Sequence, residues 1–375
     1  MGGNPLRVKK SLFALILPAL LAACGGGAPA AAPSSAPAAP AKPSTAASTL
    51  AKPSAASAPA KPAASAAAKP AASGLTKVVS AYPNISGSNI ALFVTKDGGY
   101  FEKNGLNVDL QFINGAAKSS AALLANQVQI CHCGGSEVVS ADAQGANLVV
   151  TATLTPVYPY KFEVAPSIKT FADLKGKPIG ISSIGGAVDV VTRLVLRKNG
   201  INPDKDVILV PDNGSTFRIN AALGGATVAA MADPPGLLKL EAKGFHVLAN
   251  PASEKIPTAN SAIVADRTWL AGHKDVMQRY IDALIEGTAR TKSDKAYSVS
   301  VMKKYFKSND DNAMSVTWDF FANDVETLTP LTTPEQYTDT ITELSKKSSK
   351  VKGFDANRVI DNSFVKDAMS RGIGK

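Results

Sequence analysis

The chain has 375 residues, room for two domains of ordinary size. Its formal charge of +10 is concentrated at one end: residues 1–74 hold seven of the 40 basic residues and none of the 30 acidic ones, so the remainder is near neutral. A body with that balance, an aromatic fraction of 6% and no basic stripe gives no electrostatic case for nucleic acid.

Residues 1–23 read as an export signal. Arg7, Lys9 and Lys10 precede the apolar run Leu12–Leu21, which falls short of the roughly 20 residues that span a bilayer. The run ends in Leu21-Ala22-Ala23-Cys24, which resembles the lipobox of bacterial lipoproteins. The resemblance implies cleavage before Cys24, lipid on its sulfur, and a location outside the cytoplasmic membrane or in the periplasm. A plain secretory signal with a chance cysteine is the alternative. Residues 24–74 are Ala, Pro, Ser and spaced Lys, with Ala-Lys-Pro recurring at Ala41, Ala51, Ala60 and Ala68. That composition lacks the apolar bulk to offset ordering entropy, so a disordered tether is expected, averaging roughly 40 Å end to end. With Cys24 given to lipid, Cys131 and Cys133 remain, too few for disulfides to hold a two-lobed body.

From Val78 the chain alternates strands and helices. A strand around Val78-Val79 ends in the hydroxyl- and amide-rich loop Tyr82–Asn89, and a helix starts at Ile90–Thr95. Gly98–Leu106 is a short helical turn stopped by Asn104-Gly105. Val108–Phe112 (strand), Ser119–Ala125 (helix), Val128–Cys131 (strand), Ser136–Gln144 (helix) and Leu148–Ala152 (strand) follow. Such alternation predicts a largely parallel sheet covered on both faces. Phe171–Asp189 reads as a polar loop, the strand Pro178–Ile181, then Ser182–Gly186 opening a helix near Ala187. A strand ending in Ser and Gly before a helix aims unpaired backbone N–H groups at open space, a seat for a small polar or anionic ligand.

The grammar repeats about 95 to 100 residues on. Asn104-Gly105-Leu106-Asn107 returns as Asn199-Gly200-Ile201-Asn202, Leu123–Val128 as Leu223–Val228, and Ala143-Gln144-Gly145 as Ala242-Lys243-Gly244. A period that long means two related lobes, not a solenoid. After Ala249 the alternation stops. Ala259–Ala265 is one more apolar stretch, and from Arg267 the pattern is helical, with Val276, Tyr280, Ile281, Leu284 and Ile285 marking one face.

Several phrases together resemble one family: Gly99-Tyr100-Phe101-Glu102-Lys103-Asn104-Gly105-Leu106, Phe171-Ala172-Asp173-Leu174-Lys175-Gly176-Lys177-Pro178-Ile179-Gly180, and Asn199-Gly200-Ile201-Asn202-Pro203-Asp204-Lys205-Asp206-Val207. Over about Lys77–Asn250 the chain is similar to the substrate-binding proteins of nitrate-, sulfonate- and taurine-type ABC importers, a group that includes binders of the thiamine pyrimidine precursor. The resemblance implies the α/β type 2 periplasmic-binding fold: two α/β lobes joined by a two-crossing hinge, with a helical C-terminal tail. Residues 75–163 and 260–375 would form lobe one plus the tail, and 164–259 lobe two. The implied role is a monomeric subunit that takes a small polar or anionic organic solute from outside the cell to a membrane permease, without chemistry or cofactor. Where that family commonly has Gly-x-Val-Asp, this chain has Asn126-Gln127-Val128-Gln129 and Ala226-Thr227-Val228-Ala229. Asn takes the left-handed turn that Gly supplies; Ala226 does so only at a cost.

In open parallel sheets the ligand lies beyond the carboxyl ends of the strands. Those ends nominate Asn84, Ser86, Ser88, Asn89, Gly135, Ser136, Thr155 and Tyr158 from lobe one. Lobe two offers Ser182, Ser183, Gly185, Gly186, Asn213, Ser215 and Asp233. Ser136 and Ser215 also suit plain N-caps. Arg218, one turn into its helix, either pairs with an anion or is an ordinary solvated or salt-bridged arginine. Gly180–Gly186 lacks the Gly-Lys-Ser/Thr ending of a phosphate loop, which argues against nucleotide chemistry. Cys131-His132-Cys133 admits a metal site, an i,i+2 disulfide or plain strand-end residues; plain strand-end residues, with no metal, are the expectation. Two alternatives stand beside the importer. One is an enzyme like the fungal pyrimidine synthases, which share the fold and use a cysteine-rich motif, here Cys131, His132 and Cys133. The other is a ligand-sensing receptor for a membrane signalling protein.

Overall fold

The computed structural model describes residues 74–375 except Asn213; the signal, Cys24, the tether and Asn213 lie outside the described residues. The chain runs β1 (Thr76–Tyr82), α1 (Ile90–Asp97), α2 (Tyr100–Lys103), β2 (Leu106–Phe112), α3 (Ala116–Leu124), β3 (Ile130–Cys133), α4 (Gly135–Asp142) and β4 (Leu148–Val157). It continues through β5 (Lys161–Val164), β6 (Pro178–Ile181), α5 (Ala187–Lys198), β7 (Ile208–Pro211), α6 (Ser215–Leu223), β8 (Ala229–Ala232), α7 (Gly236–Glu241) and β9 (His246–Ala249). It returns as β10 (Pro257–Asp266) and finishes in α8 (Arg267–Gly272), α9 (Lys274–Ser293), α10 (Lys295–Phe306), α11 (Asp311–Trp318), α12 (Thr338–Ser345) and α13 (Ser363–Ser370).

Two five-stranded sheets result, ordered β2-β1-β3-β10-β4 and β7-β6-β8-β5-β9. In each sheet four strands run the same way, as the alternation predicts, and one runs against them. β1 pairs in parallel with β2 and β3, and β6 with β7 and β8, but β10 is antiparallel to both of its neighbours and so is β5. The reason is topological. β4 leaves lobe one at the end where β1 and β3 finish, so β5 enters lobe two from that same side and runs backward. β9 and β10 repeat this on the return. The polypeptide crosses between the sheets after Val157 and again after Ala249, and the Tyr158 N–H donates to the Ile256 carbonyl at 3.1 Å, tying the two crossings together.

β4 is ten residues long rather than ending at Ala152. Its Val/Ala/Leu–Thr alternation resembles a half-solvated strand, yet all three threonines are buried and two are bonded: Thr151 Oγ1 donates to the Ile263 carbonyl at 3.1 Å, and the Thr153 and Thr332 hydroxyls meet at 2.8 Å, while Thr155 Oγ1 has no partner among the described residues. β5 is not among the expected elements; its four residues include the charged Lys161 and Glu163, which break an apolar run. β3 starts two residues later than expected, since the left-handed Asn126 and the bonds of Gln129 to Val79 occupy the approach.

The internal repeat is visible in the backbone. Gly105 and Gly200 share a φ of +75°. Asn126 (φ +54°) closes α3, but after α6 the left-handed residue is Gly225 (φ +76°), not Ala226. The turn has moved by one residue, with matching bonds from Gln127 N to Ala122 O and from Ala226 N to Ala221 O at 2.9 Å. The cost assigned to Ala226 is therefore avoided.

Helix α9 packs its apolar face against α1 and the first sheet, with Met277, Tyr280 and Ile281 fully buried. α12 instead lies between α4 and α5, and Arg197 of α5 bonds Glu343 of α12 at 3.0 Å. α9 meets α1 at Gly287, where a Cβ would stand 2.8 Å from the Thr95 Cα. Backbone cannot yield there, and overpacking of this kind costs about 1–3 kcal/mol. Gly287→Ala is expected to lower the melting temperature by several degrees in calorimetry; an unchanged value would show that the two helices slide apart freely.

Candidate functional site

The carboxyl ends of both sheets border one cleft whose cavity is small, about 60 Å³. From lobe one, Asn84, Ser86, Ser88 and Asn89 line it on the loop between β1 and α1. That loop is fixed from within. The Asn89 amide donates to the Asn84 carbonyl (2.9 Å) and to its side-chain oxygen (2.8 Å), and the Ser86 and Ser88 hydroxyls meet at 2.8 Å. From lobe two, Ser182, Ser183, Ser215 and Asp233 line the same cavity. These eight nominated residues are brought together.

The others are not. Gly135 is a packing glycine: a Cβ there would meet Ala259 at 2.7 Å and the Tyr337 ring at 2.8 Å. Ser136 is the second residue of α4, and its hydroxyl donates to Glu137 Oε2 at 2.8 Å. Thr155 and Tyr158 are fully buried away from the cavity, Tyr158 in the hinge. Gly185 and Gly186 face a groove on the α3–α4 side; the Gly185 N–H donates to Asp189 Oδ2 at 2.8 Å. Asn213 lies outside the described residues. The N-cap role for Ser136 and Ser215 also fails: α4, α5 and α6 are capped by Gly134, Gly186 and Gly214, none with a side-chain cap bond.

Several lining residues had no nomination. Arg218 is not solvated but 1% exposed. Its Nε donates to the Met231 carbonyl at 2.7 Å and one Nη to Ser182 Oγ. Burial lowers its pKa, and Tyr160, Asp233 and Asp212 oppose that. Burial pushes the Asp233 carboxyl up to about 6, despite Arg218 and the Ser86 hydroxyl reaching it from the other lobe. Glu137, third in α4, is buried with a raised pKa for the same reason. Asn260 and Ser261 enter from β10, where Ser261 holds φ +45° beside a register shift and its hydroxyl donates to the Ser88 carbonyl at 2.9 Å.

Cys131 and Cys133 are joined as a disulfide, their Cα atoms 5.3 Å apart. This corrects the expectation of plain strand-end residues: two positions apart on a strand, they share a face. His132 meets Tyr280 instead, Nε2 to the hydroxyl at 2.8 Å, and that hydroxyl also reaches Ser80 Oγ at 2.8 Å. Burial pushes the imidazole down to about 3, so it is neutral. Among the described residues no three His, Cys, Asp or Glu side chains gather as metal ligands.

The pattern of the family described as NMT1/THI5 like matches residues 87–295, more than half of the chain. The chain belongs to the NMT1/THI5-like family. It is 25% identical over 249 residues (65% of this chain, 75% of the relative) to YtlA of Bacillus subtilis (strain 168), a protein named for binding with no ligand in its name. Among solved structures it resembles the periplasmic aliphatic sulphonate binding protein SsuA of Escherichia coli (TM-score 0.62, 18% identity, 77% of this chain and 99% of that one). It also resembles the periplasmic nitrate-binding protein NrtA of Synechocystis PCC 6803 (TM-score 0.61, 11% identity, 79% and 89%). At those identities the likeness establishes the periplasmic-binding fold of this NMT1/THI5-like chain, not a shared ligand.

Proposed function

We propose that this protein is the extracytoplasmic solute-binding subunit of an ABC importer, tethered through lipid on Cys24, that captures a small polar organic solute by hinge closure and hands it to a membrane permease. The observation that carries the reading is the cleft itself. Hydroxyls, amides and N-terminal helix ends from two lobes converge on one cavity, and the chain passes between the lobes at two crossings, after Val157 and after Ala249. Such a site binds by being bridged: a solute that touches both loop sets stabilises the closed form. Lipid anchoring rests on the Leu21–Cys24 phrase and delivery to a permease on the family. The protein performs no chemistry in this reading, and the thiols that an enzyme would need at Cys131 and Cys133 are tied to each other.

Ligand binding raises stability by mass action, about 2.7 kcal/mol at a hundred times Kd. A thermal-shift screen of small organic solutes is therefore expected to find at least one that raises the melting temperature by several degrees, with a saturable dose dependence. No stabilisation by any small solute would sink the reading.

A further inference from the structure

Glu137 belongs to lobe one, yet its carboxylate closes against the start of α5 in lobe two. Ser136 Oγ donates to Oε2 at 2.8 Å. At the start of α5, Ala187 lines the same cavity and Gly186 lies against this carboxyl. A Cβ on Gly186 would stand 2.8 Å from Oε1. Gly186 caps α5 without a side chain, so the first-turn N–H groups of this twelve-residue helix have no other cap. A helix start of this kind is where a bound anion is ordinarily held. The seat after β6 is already covered, and by one of the protein's own carboxyl groups.

The remaining charge agrees. Arg218 is committed to Met231, Ser182 and the field of two aspartates. Asp233, 6% exposed, faces the cavity from the opposite lobe. His132 is 1% exposed, lines the cavity and has no partner for Nδ1. Two buried carboxylates thus look into one cavity against a single guanidinium already engaged. Burial raises both carboxyls above their ordinary range, against hydrogen bonding at Glu137 and against Arg218 and Ser86 at Asp233.

We propose that Glu137 is the specificity determinant of this cleft: by holding the anion seat at α5 it excludes nitrate and sulfonates, and with Asp233 it takes a small organic cation, a protonated amine or amidine. The inference rests on the solute-binding reading above. An amidinium supplies the missing counter-charge through N–H donors to both carboxylates, and the neutral His132 adds a hydrogen bond without repelling it. A sulfonate finds the start of α5 already covered by the Glu137 carboxyl, with the Asp233 carboxyl on the same cavity. The cavity limits the solute to a few heavy atoms.

The test uses calorimetric and thermal titration of the full chain, as wild type, Glu137→Gln and Glu137→Ala, at pH 7.5 and constant ionic strength. Acetamidine, methylguanidine and ethanolamine form one arm; nitrate, methanesulfonate and taurine form the other. The wild type is expected to take at least one cation and no anion. Glu137→Gln, nearly the same shape, weakens that cation at least tenfold while its unliganded circular dichroism stays unchanged. Glu137→Ala frees the seat, and methanesulfonate binds it at least tenfold more tightly than the wild type. Nitrate or methanesulfonate binding to the wild type, or cation affinity unmoved in Glu137→Gln, would overturn the proposal. If no probe of either arm moves any of the three proteins, this inference falls, while the solute-binding reading stands or falls by the wider screen of solutes above.

Discussion

Replacing Arg218 with methionine is expected to lower the melting temperature by roughly 10 °C at pH 7.5 and by much less at pH 5. The guanidinium is the counter-charge for Asp233 and Asp212, and it also fastens α6 to β8 through the Met231 carbonyl. Breaking a buried pair strands the surviving charge, at a cost of about 3–5 kcal/mol, and for a body of this size each kcal/mol moves the melting temperature by about 2–4 °C. Asp233 already titrates near 6 with Arg218 in place; without it the pKa rises further. By pH 5 the carboxyl is protonated, so the stranded charge disappears and most of the loss with it. Scanning calorimetry at the two pH values separates the terms: an equal loss at both would assign the effect to packing alone. Arg218→Lys is not expected to rescue, because one ammonium cannot reach the Met231 carbonyl and Ser182 Oγ in the same fork.

Arg218 also marks where the sequence stops being legible. Strand and helix order, the internal repeat and the family phrases follow from local composition, so the two-lobed fold could be read from them. What local patterns could not give was the direction of β5 and β10, which is set by the side from which each crossing enters. The site was legible to the extent that it sits on strand ends: Asn84–Asn89, Ser182 and Ser183 come straight from that rule, and they do line the cavity. Residues inside helices broke it. Arg218 is the fourth residue of α6 and Glu137 the third of α4, positions where a charged side chain ordinarily faces water. Arg218 is turned inward onto Met231 and Ser182 of its own lobe, whereas Glu137 is met by Gly186 of the opposite lobe. Tyr158 and Thr155 failed the other way: they end a strand correctly, but the hinge closes over them.

Glu326 extends the same lesson to stability. Glu326→Gln is expected to gain on the wild type as pH rises, with the melting-temperature difference growing by roughly 5–10 °C between pH 5 and pH 8.5. The residue follows the π-helical turn Asp319–Val325 and is 5% exposed. Lys292 Nζ donates to the Glu326 backbone carbonyl at 3.1 Å rather than to its carboxylate, and neither carboxylate oxygen has a well-formed hydrogen bond. Burial pushes the carboxyl up from 4.5 to about 8, against smaller opposing effects of Lys292 and the Ala91 N–H. Between those values the unfolded chain is ionised and the folded one is protonated, so folding takes up a proton. The stability this proton contributes is fully present below about pH 4.5. It then falls by about 1.4 kcal/mol per pH unit and is lost once pH passes 8. Glu163, pushed up to about 7 by burial, acts with the same sign, whereas His132, pushed down to about 3, costs stability only as pH drops below 6.5. Those contributions are common to both proteins and cancel in the difference, which isolates Glu326. A difference that stays flat from pH 5 to 8.5 would mean that the carboxyl finds a counter-charge and does not titrate in this range.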